Sequence, residues 1–196
     1  CAEHSIEYRV VDVKAQYRAE VLEYFKREYR SGRTPNPCVR CNSTVKFGAL
    51  LNGLSESGTA FDFFCTGHYA RIVRPVSGLW NSDKRPCMIA SAVDSSKDQT
   101  YFLYRIPSSV LEKVRFPLAK LEKSEVFDLA QKLHLSAAAR KESQDFIAEQ
   151  YYDLIFSDLP SVPGNIIDLD GNVLGTHRGI EHYTVGQRRG LGVSSD

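Results

Sequence analysis

Residues Phe61 to Ala70 read FDFFCTGHYA. The compact apolar run Phe61 to Phe64, ending at Cys65, has the length and aromatic content of a buried strand. The Thr-Gly-His turn directly after it lies at that strand's carboxyl end, where open α/β sheets present their ligand loops. Upstream, apolar residues recur at Tyr17, Val21, Leu22, Phe25 and Tyr29, which is helical spacing, and Gly32 supplies a stop. Ile6 to Val11 reads as a short β-rich run before that helix. Downstream, Tyr69–Val73 and Met88–Val93 read as strands around a polar loop at 77–85. Ser124 then opens a helix with Val126, Leu129, Ala130, Leu133 and Leu135 on its expected buried side. Strands alternating with helices predict an α/β fold.

Past Pro160 and Pro163 the texture changes. IIDLDGNVLG places an Asp-Gly turn between two apolar runs, the signal of a tight hairpin. HYTVGQRRGLG predicts a strand and a glycine-rich loop. The expected organisation is an α/β domain over 1–160 and the start of a small β domain over 161–196.

Composition narrows the class. A chain of 196 residues, 42% hydrophobic, is long enough to bury a sizeable core. Its net charge of +1, from 25 basic and 24 acidic residues, excludes a protein that coats polyanions through bulk charge, so any nucleic-acid surface must be local. No apolar run reaches membrane-spanning length and no leader is evident, so a cytoplasmic setting is the default. A start at Cys1 and a stop in LGVSSD read as a fragment.

Five unevenly spaced cysteines do not form a secreted disulfide framework. Two of them, Cys38 and Cys41, make a CxxC in SGRTPNPCVRCNSTVKFG, Ser31 to Gly48. Pro35 and Pro37 stiffen the loop ahead of them. Asn42 or Ser43 is positioned to cap a following helix, which sets Cys41 just before a helix N-terminus beside Arg33 and Arg40. That setting lowers a thiol's pKa and frees it for sulfur transfer. Cys65 and His68 form a CxxH that completes a four-ligand zinc set with the CxxC. Alternatively Cys38, Cys41 and Cys65 hold an iron–sulfur cluster with one open iron. A third reading is a thiol switch cycling as a disulfide, and a fourth is plain loop packing. Cys1 and Cys87 read as packing residues. Lys97, Asp98 and Gln99 in SSKDQTYFLYRI suit either phosphate and sugar contacts or a solvated helix start. Arg178, Arg188, Arg189 and Tyr183 suit either an RNA backbone with stacking or a solvated strand face.

Taken in order, GRTPNPCVRCNSTVKFG, TGHYAR, SSKDQTYFL, the helix leading to ESQDF, and LGTHRGIEHYTVGQRRGLG resemble the tRNA-specific 2-thiouridylases. The resemblance covers nearly the whole chain. It implies the rear part of an ATP-pyrophosphatase domain, of the adenine nucleotide alpha hydrolase-like kind, followed by the start of a small β domain. It further implies an ATP- and Mg²⁺-dependent enzyme that replaces the C2 oxygen of a wobble uridine in tRNA with sulfur supplied by a donor protein or sulfide. By this resemblance Asn36, Pro37 and Cys38 lie against the target base. Cys41 takes the place of the first catalytic cysteine, with Cys38 as a second catalytic candidate. Gly67 contacts ATP, and His68, Lys97, Asp98 and Gln99 contact tRNA.

The chain departs from the family's best-known form in two ways. The phosphate loop SGGxDSS and the C-terminal barrel are not in the sequence, so this stretch alone is expected to be inactive. The second catalytic cysteine is replaced: the segment reads ESQDFIAE, with Ile147 at or near its place. Cys38 stands where the common form has aspartate, and Cys65 where it has a small residue. Two thiols gained beside one lost suggest a 4Fe–4S cluster on Cys38, Cys41 and Cys65, with zinc as the alternative metal. The competing functional class is a non-catalytic, zinc-stabilised RNA-binding module.

Overall fold

The computed structural model describes residues 1–74, 86–136, 147 and 151–193. The polar loop at 77–85 and all of ESQDFIAE except Ile147 lie outside the described residues. In chain order the helices are α1 (Lys14–Tyr17), α2 (Glu23–Arg30), α3 (Pro37–Arg40), α4 (Leu50–Glu56), α5 (Ser108–Leu111), α6 (Lys123–Lys132) and α7 (Tyr152–Ile155). The strands are β1 (Phe64–Cys65), β2 (Ala70–Val73), β3 (Met88–Ser91), β4 (Val114–Arg115), β5 (Gly164–Ile167) and β6 (Val173–His177). Wide helical turns with i→i+5 hydrogen bonding fill Arg18–Leu22 and Cys41–Ala49.

Two compact units emerge: Cys1–Tyr17 with Cys38–Ser143, and Arg18–Pro37 with Gln144–Asp196. In the first, β1 pairs in parallel with β4, Phe64 opposite Val114 and Cys65 opposite Arg115. A parallel pair needs a long crossover, and here β2, β3 and α5 lie within it. β2 and β3 pair antiparallel with Ala70 opposite Ser91. The core beneath them gathers Phe47, Ala70, Cys87, Leu103, Ile106, Leu111, Val114, Phe116 and Ala119, with Phe64, Ile72 and Ile89 packed on it. Phe47 is its aromatic hub, edge-on to Phe64 at 5.6 Å and to Phe116 at 6.4 Å between ring centroids. Cys87 is a core residue, as its isolation in the sequence implied, whereas Cys1 is exposed rather than packed.

In the second unit Phe25 and Tyr29 of α2 pack on Phe156, with Ile147, Tyr152 and Ile155 against them. Asp158 fastens α2 from outside, accepting from Arg30 at 2.8 Å and pairing with Lys26 at 3.2 Å. The Asp-Gly hairpin forms as β5 and β6. Its turn is tied by the Asp168 carboxylate, which accepts from the Asp170 and Asn172 backbone N–H groups at 2.9 and 2.8 Å. Gly171 supplies the left-handed residue at φ +87°.

Four local expectations change. Ile6–Val11 forms no strand, and Ile6, Tyr8 and Val10 are exposed, because a β-rich run without a partner leaves its ladder groups unpaired. Helix α6 starts from a capping box of Glu122 and Glu125 rather than from Ser124. Its apolar side is only partly covered: Val126, Ala130 and Leu135 are half-buried, but Leu129 is 44% and Leu133 61% exposed. HYTVGQRRGLG turns as a short 3₁₀ segment, Ile180–His182, and then loops, with no strand.

Candidate functional site at the CxxC helix

The helix carrying the CxxC begins earlier than its capping residues suggest. Pro37 is the first residue of α3, where a fixed φ and a missing N–H suit the opening turn. The helical path continues through the wide stretch Cys41–Ala49 into α4, and the Leu50 N–H donates to the Val45 carbonyl, an i→i+5 bond. Cys38 therefore sits in the first turn and Cys41 inside the helix, not ahead of it. Asn42, expected as a cap, is instead buried and donates through Nδ2 to the Phe102 carbonyl at 3.0 Å. Ser43 and Thr44 hydroxyls donate back to the Arg40 carbonyl at 3.2 and 2.8 Å. Val45 and Phe47 anchor the other face in the core. Ahead of the helix, the Asn36 N–H donates to the Tyr24 hydroxyl at 3.2 Å.

Cys38 and Cys41 are free, half-buried thiols. Burial pushes both upward from the ordinary thiol range, and Lys46 pulls both back part of the way; charge on Cys38 raises Cys41 further. The expected lowering by Arg33 and Arg40 does not occur. Arg33 is spent on Glu28, Nε to Oε2 at 2.6 Å, and the loss of hydration outweighs the helix start. Tyr17 stands close enough that its phenol is raised, first by burial and then by charge on Cys41 and Cys38.

His68 follows β1 on a short loop and is 9% exposed. Its Nδ1 lies 2.7 Å from Thr66 Oγ1 and its Nε2 3.5 Å from Lys46 Nζ. The ring packs between Phe47 and Phe116, at 5.9 and 5.8 Å. Burial, and then the Lys46 charge, lowers its pKa from 6.5 to about 4. The imidazole is neutral near pH 7, and an ammonium at Nε2 requires that nitrogen to accept, so Nδ1–H donates to Thr66.

The loop holding His68 is braced by two residues expected at the RNA. Gln99 clamps the Tyr69 backbone: Tyr69 N–H donates to Gln99 Oε1 at 2.9 Å, and Gln99 N–H donates to Tyr69 O at 2.8 Å. Asp98 accepts from the Ala92 and Thr100 N–H groups at 2.9 and 3.1 Å and from the Thr100 hydroxyl. Burial pushes the Asp98 carboxyl up, but these hydrogen bonds hold it below the ordinary value. Lys97 closes the 3₁₀ turn Ser95–Lys97, which Asp94 caps through the Ser96 N–H. Gly67 is not required by crowding, since a Cβ there meets only Leu118 Cδ1 at 3.7 Å. Arg178, Arg188 and Arg189 are exposed in the second unit, and Tyr183 packs on His177 at 5.9 Å.

The three-cysteine metal set is not assembled. Among the described residues no three His, Cys, Asp or Glu side chains gather closely enough to hold a metal ion. The reason lies in strand alternation: Phe64 turns inward to Phe47 of the CxxC helix, so Cys65, next along β1, turns outward and is exposed. These positions fit neither the cluster on Cys38, Cys41 and Cys65 nor the zinc set completed by His68, whose ring nitrogens are engaged by Thr66 and Lys46. Ile147 packs on the Phe25–Tyr29–Phe156 cluster. What sequence reading missed is Lys46, which is charged toward both thiols and bonded to His68. Its signal was available in the spacing from Cys41, but only for a helix with a wide turn.

A family model described as the tRNA methyl transferase HUP domain matches residues 1–148. The chain belongs to this family. A second model, the tRNA methyl transferase PRC-barrel domain, matches residues 153–196, so a HUP domain is followed by a PRC-barrel domain. Curated relatives named tRNA-specific 2-thiouridylase MnmA align over nearly all of the chain. The relative from Endomicrobium trichonymphae is 44% identical over 94% of this chain and 49% of its own length. That from Syntrophomonas wolfei is 43% identical over 98% of this chain and 55% of its own. A Bacillus velezensis relative is 40% identical over 98% and 50%. The chain thus spans about half the length of these HUP-family relatives. No helix among the described residues is long and apolar enough to cross a membrane.

Proposed function

We propose that this chain is part of a tRNA-uridine 2-sulfurtransferase, contributing the CxxC helix and the His68 loop to replacement of a uridine C2 oxygen by sulfur. The supporting observation is the similarity of about 40% to named 2-thiouridylases along nearly the entire chain, in a family whose HUP domain is a nucleotide-binding fold. In this reading the C2 oxygen attacks the α-phosphate of ATP and releases pyrophosphate, sulfide-level sulfur then forms a bond to C2, and AMP departs with the original oxygen. Cys38 and Cys41 handle the sulfur, with Cys41 as the principal thiol. A separate donor supplies the transferred atom, because a cysteine cannot give up its own sulfur and remain cysteine: sulfide can displace AMP directly, whereas sulfur delivered as a persulfide also needs a second thiol to break its S–S bond, leaving a disulfide. Asn36 and Pro37 meet the base, Gly67 lies by the nucleotide, and Lys97 and His68 lie toward the tRNA, with Asp98 and Gln99 fixing the loop that presents them. The location is cytoplasmic.

The test is thiolation of a tRNA transcript by the full-length protein with ATP and sulfide, read as 2-thiouridine by mass spectrometry of nucleosides. Wild type should form it and Cys41→Ser should not. Wild-type levels of product from both the Cys41→Ser and the Cys38→Ser variants would refute the assignment.

A further inference from the structure

Lys46 is a half-buried cation whose hydrogen-bond partner is the neutral His68 at 3.5 Å, and among the described residues no carboxylate pairs with it. A partly desolvated ammonium without a counter-ion is costly. The fold nevertheless fixes it: Thr66 orients the histidine at 2.7 Å, and Phe47 and Phe116 confine the ring. Backbone geometry points the charge. In an α-helix, residues advance about 100° each, so a side chain five residues on lies roughly 140° around the axis. In the i→i+5 stretch Cys41–Ala49 each residue advances less, which brings position 46 round toward the side of the helix that carries position 41. Wide turns of this kind concentrate at functional sites.

We propose that Lys46 is the positioning residue of the CxxC, and that the wide helical stretch turns its ammonium toward the two sulfurs to accompany negative charge on them. This rests on the sulfur-handling role given to Cys38 and Cys41 above. The electrostatics agree, since Lys46 opposes the effect of burial at both thiols. His68 cannot take this part, because it stays neutral well below pH 7. The cation of the site is therefore the lysine, and the histidine with Thr66 is its support.

The experiment is site-resolved alkylation of the full-length protein by iodoacetamide at neutral pH, in low and high salt, comparing wild type with Lys46→Gln and Lys46→Arg. Losing the lysine's charge lowers the thiolate fraction of a mostly protonated thiol, an effect partly offset by the greater nucleophilicity of the more basic thiolate. Lys46→Gln should therefore slow Cys38 and Cys41 severalfold in low salt, Lys46→Arg should keep most of the rate, and high salt should narrow the gap. Exposed Cys65 is the internal control, and buried Cys87 reports unfolding by becoming reactive. Unchanged rates at Cys38 and Cys41 in Lys46→Gln, or equal slowing by Gln and Arg with Cys87 still protected, would overturn the proposal. Alkylation needs neither RNA nor ATP, so a wild-type protein that forms no 2-thiouridine would refute the thiolation reading while leaving this comparison intact.

Discussion

Acidification will destabilise the first unit through His68, and the size follows from its surroundings. The folded imidazole titrates at about 4 against 6.5 for an ordinary one. Between those values the unfolded chain binds a proton that the folded chain refuses, so stability is present above pH 6.5 and is lost as pH falls toward 4. The full gap corresponds to roughly 3 kcal/mol, of which about 2 kcal/mol is gone by pH 5. NMR titration of the His68 ring protons should give a midpoint near 4. Denaturant unfolding at pH 7 and pH 5 should show a steeper loss for wild type than for His68→Phe. That variant is weaker at neutral pH, because Lys46 and Thr66 lose their partner, yet it has no imidazole to protonate. Lys46→Gln should move the midpoint up only part of the way, since burial is the larger cause. A midpoint near 6.5, or parallel losses in wild type and His68→Phe, would refute the account.

Asn42→Ala strands the Phe102 carbonyl under the helix and should cost about 1–3 kcal/mol by denaturant unfolding. Phe47→Ala removes a ring that is 2% exposed from between Phe64, His68 and Phe116, and should cost about 3–5 kcal/mol with an unchanged denaturant slope. Cys65→Ser should leave thiolation by the full-length protein near wild type, because Cys65 points away from the CxxC helix. Loss of activity equal to that of Cys41→Ser would restore a shared three-cysteine site.

Much of the layout was legible where a local signal is self-sufficient. The Asp-Gly pair between apolar runs specifies a hairpin through turn chemistry within a few residues, and β5 and β6 form there with Asp168 tying the turn. The strand ending in TGHYA was legible because an apolar run and a glycine turn define both halves locally, although only Phe64 and Cys65 enter the ladder. Local signals misled where the deciding contact is distant. Asn42 reads as a cap, but the Phe102 carbonyl, far along the chain, claims its amide. The apolar positions of α6 have helical spacing, and spacing alone does not supply a covering partner.

The amino-acid order by itself determined the family, the CxxC, the loop behind β1 and the Asp-Gly hairpin, because each is written in contiguous residues. Tertiary structure alone decided which side chains meet. It set Cys65 apart from Cys38 and Cys41, engaged Asp98 and Gln99 in bracing the Tyr69 loop, kept His68 neutral and set the Lys46 ammonium against its ring. The reason is physical: charge state and side-chain direction depend on burial and backbone winding, which are sums over neighbours distant in sequence.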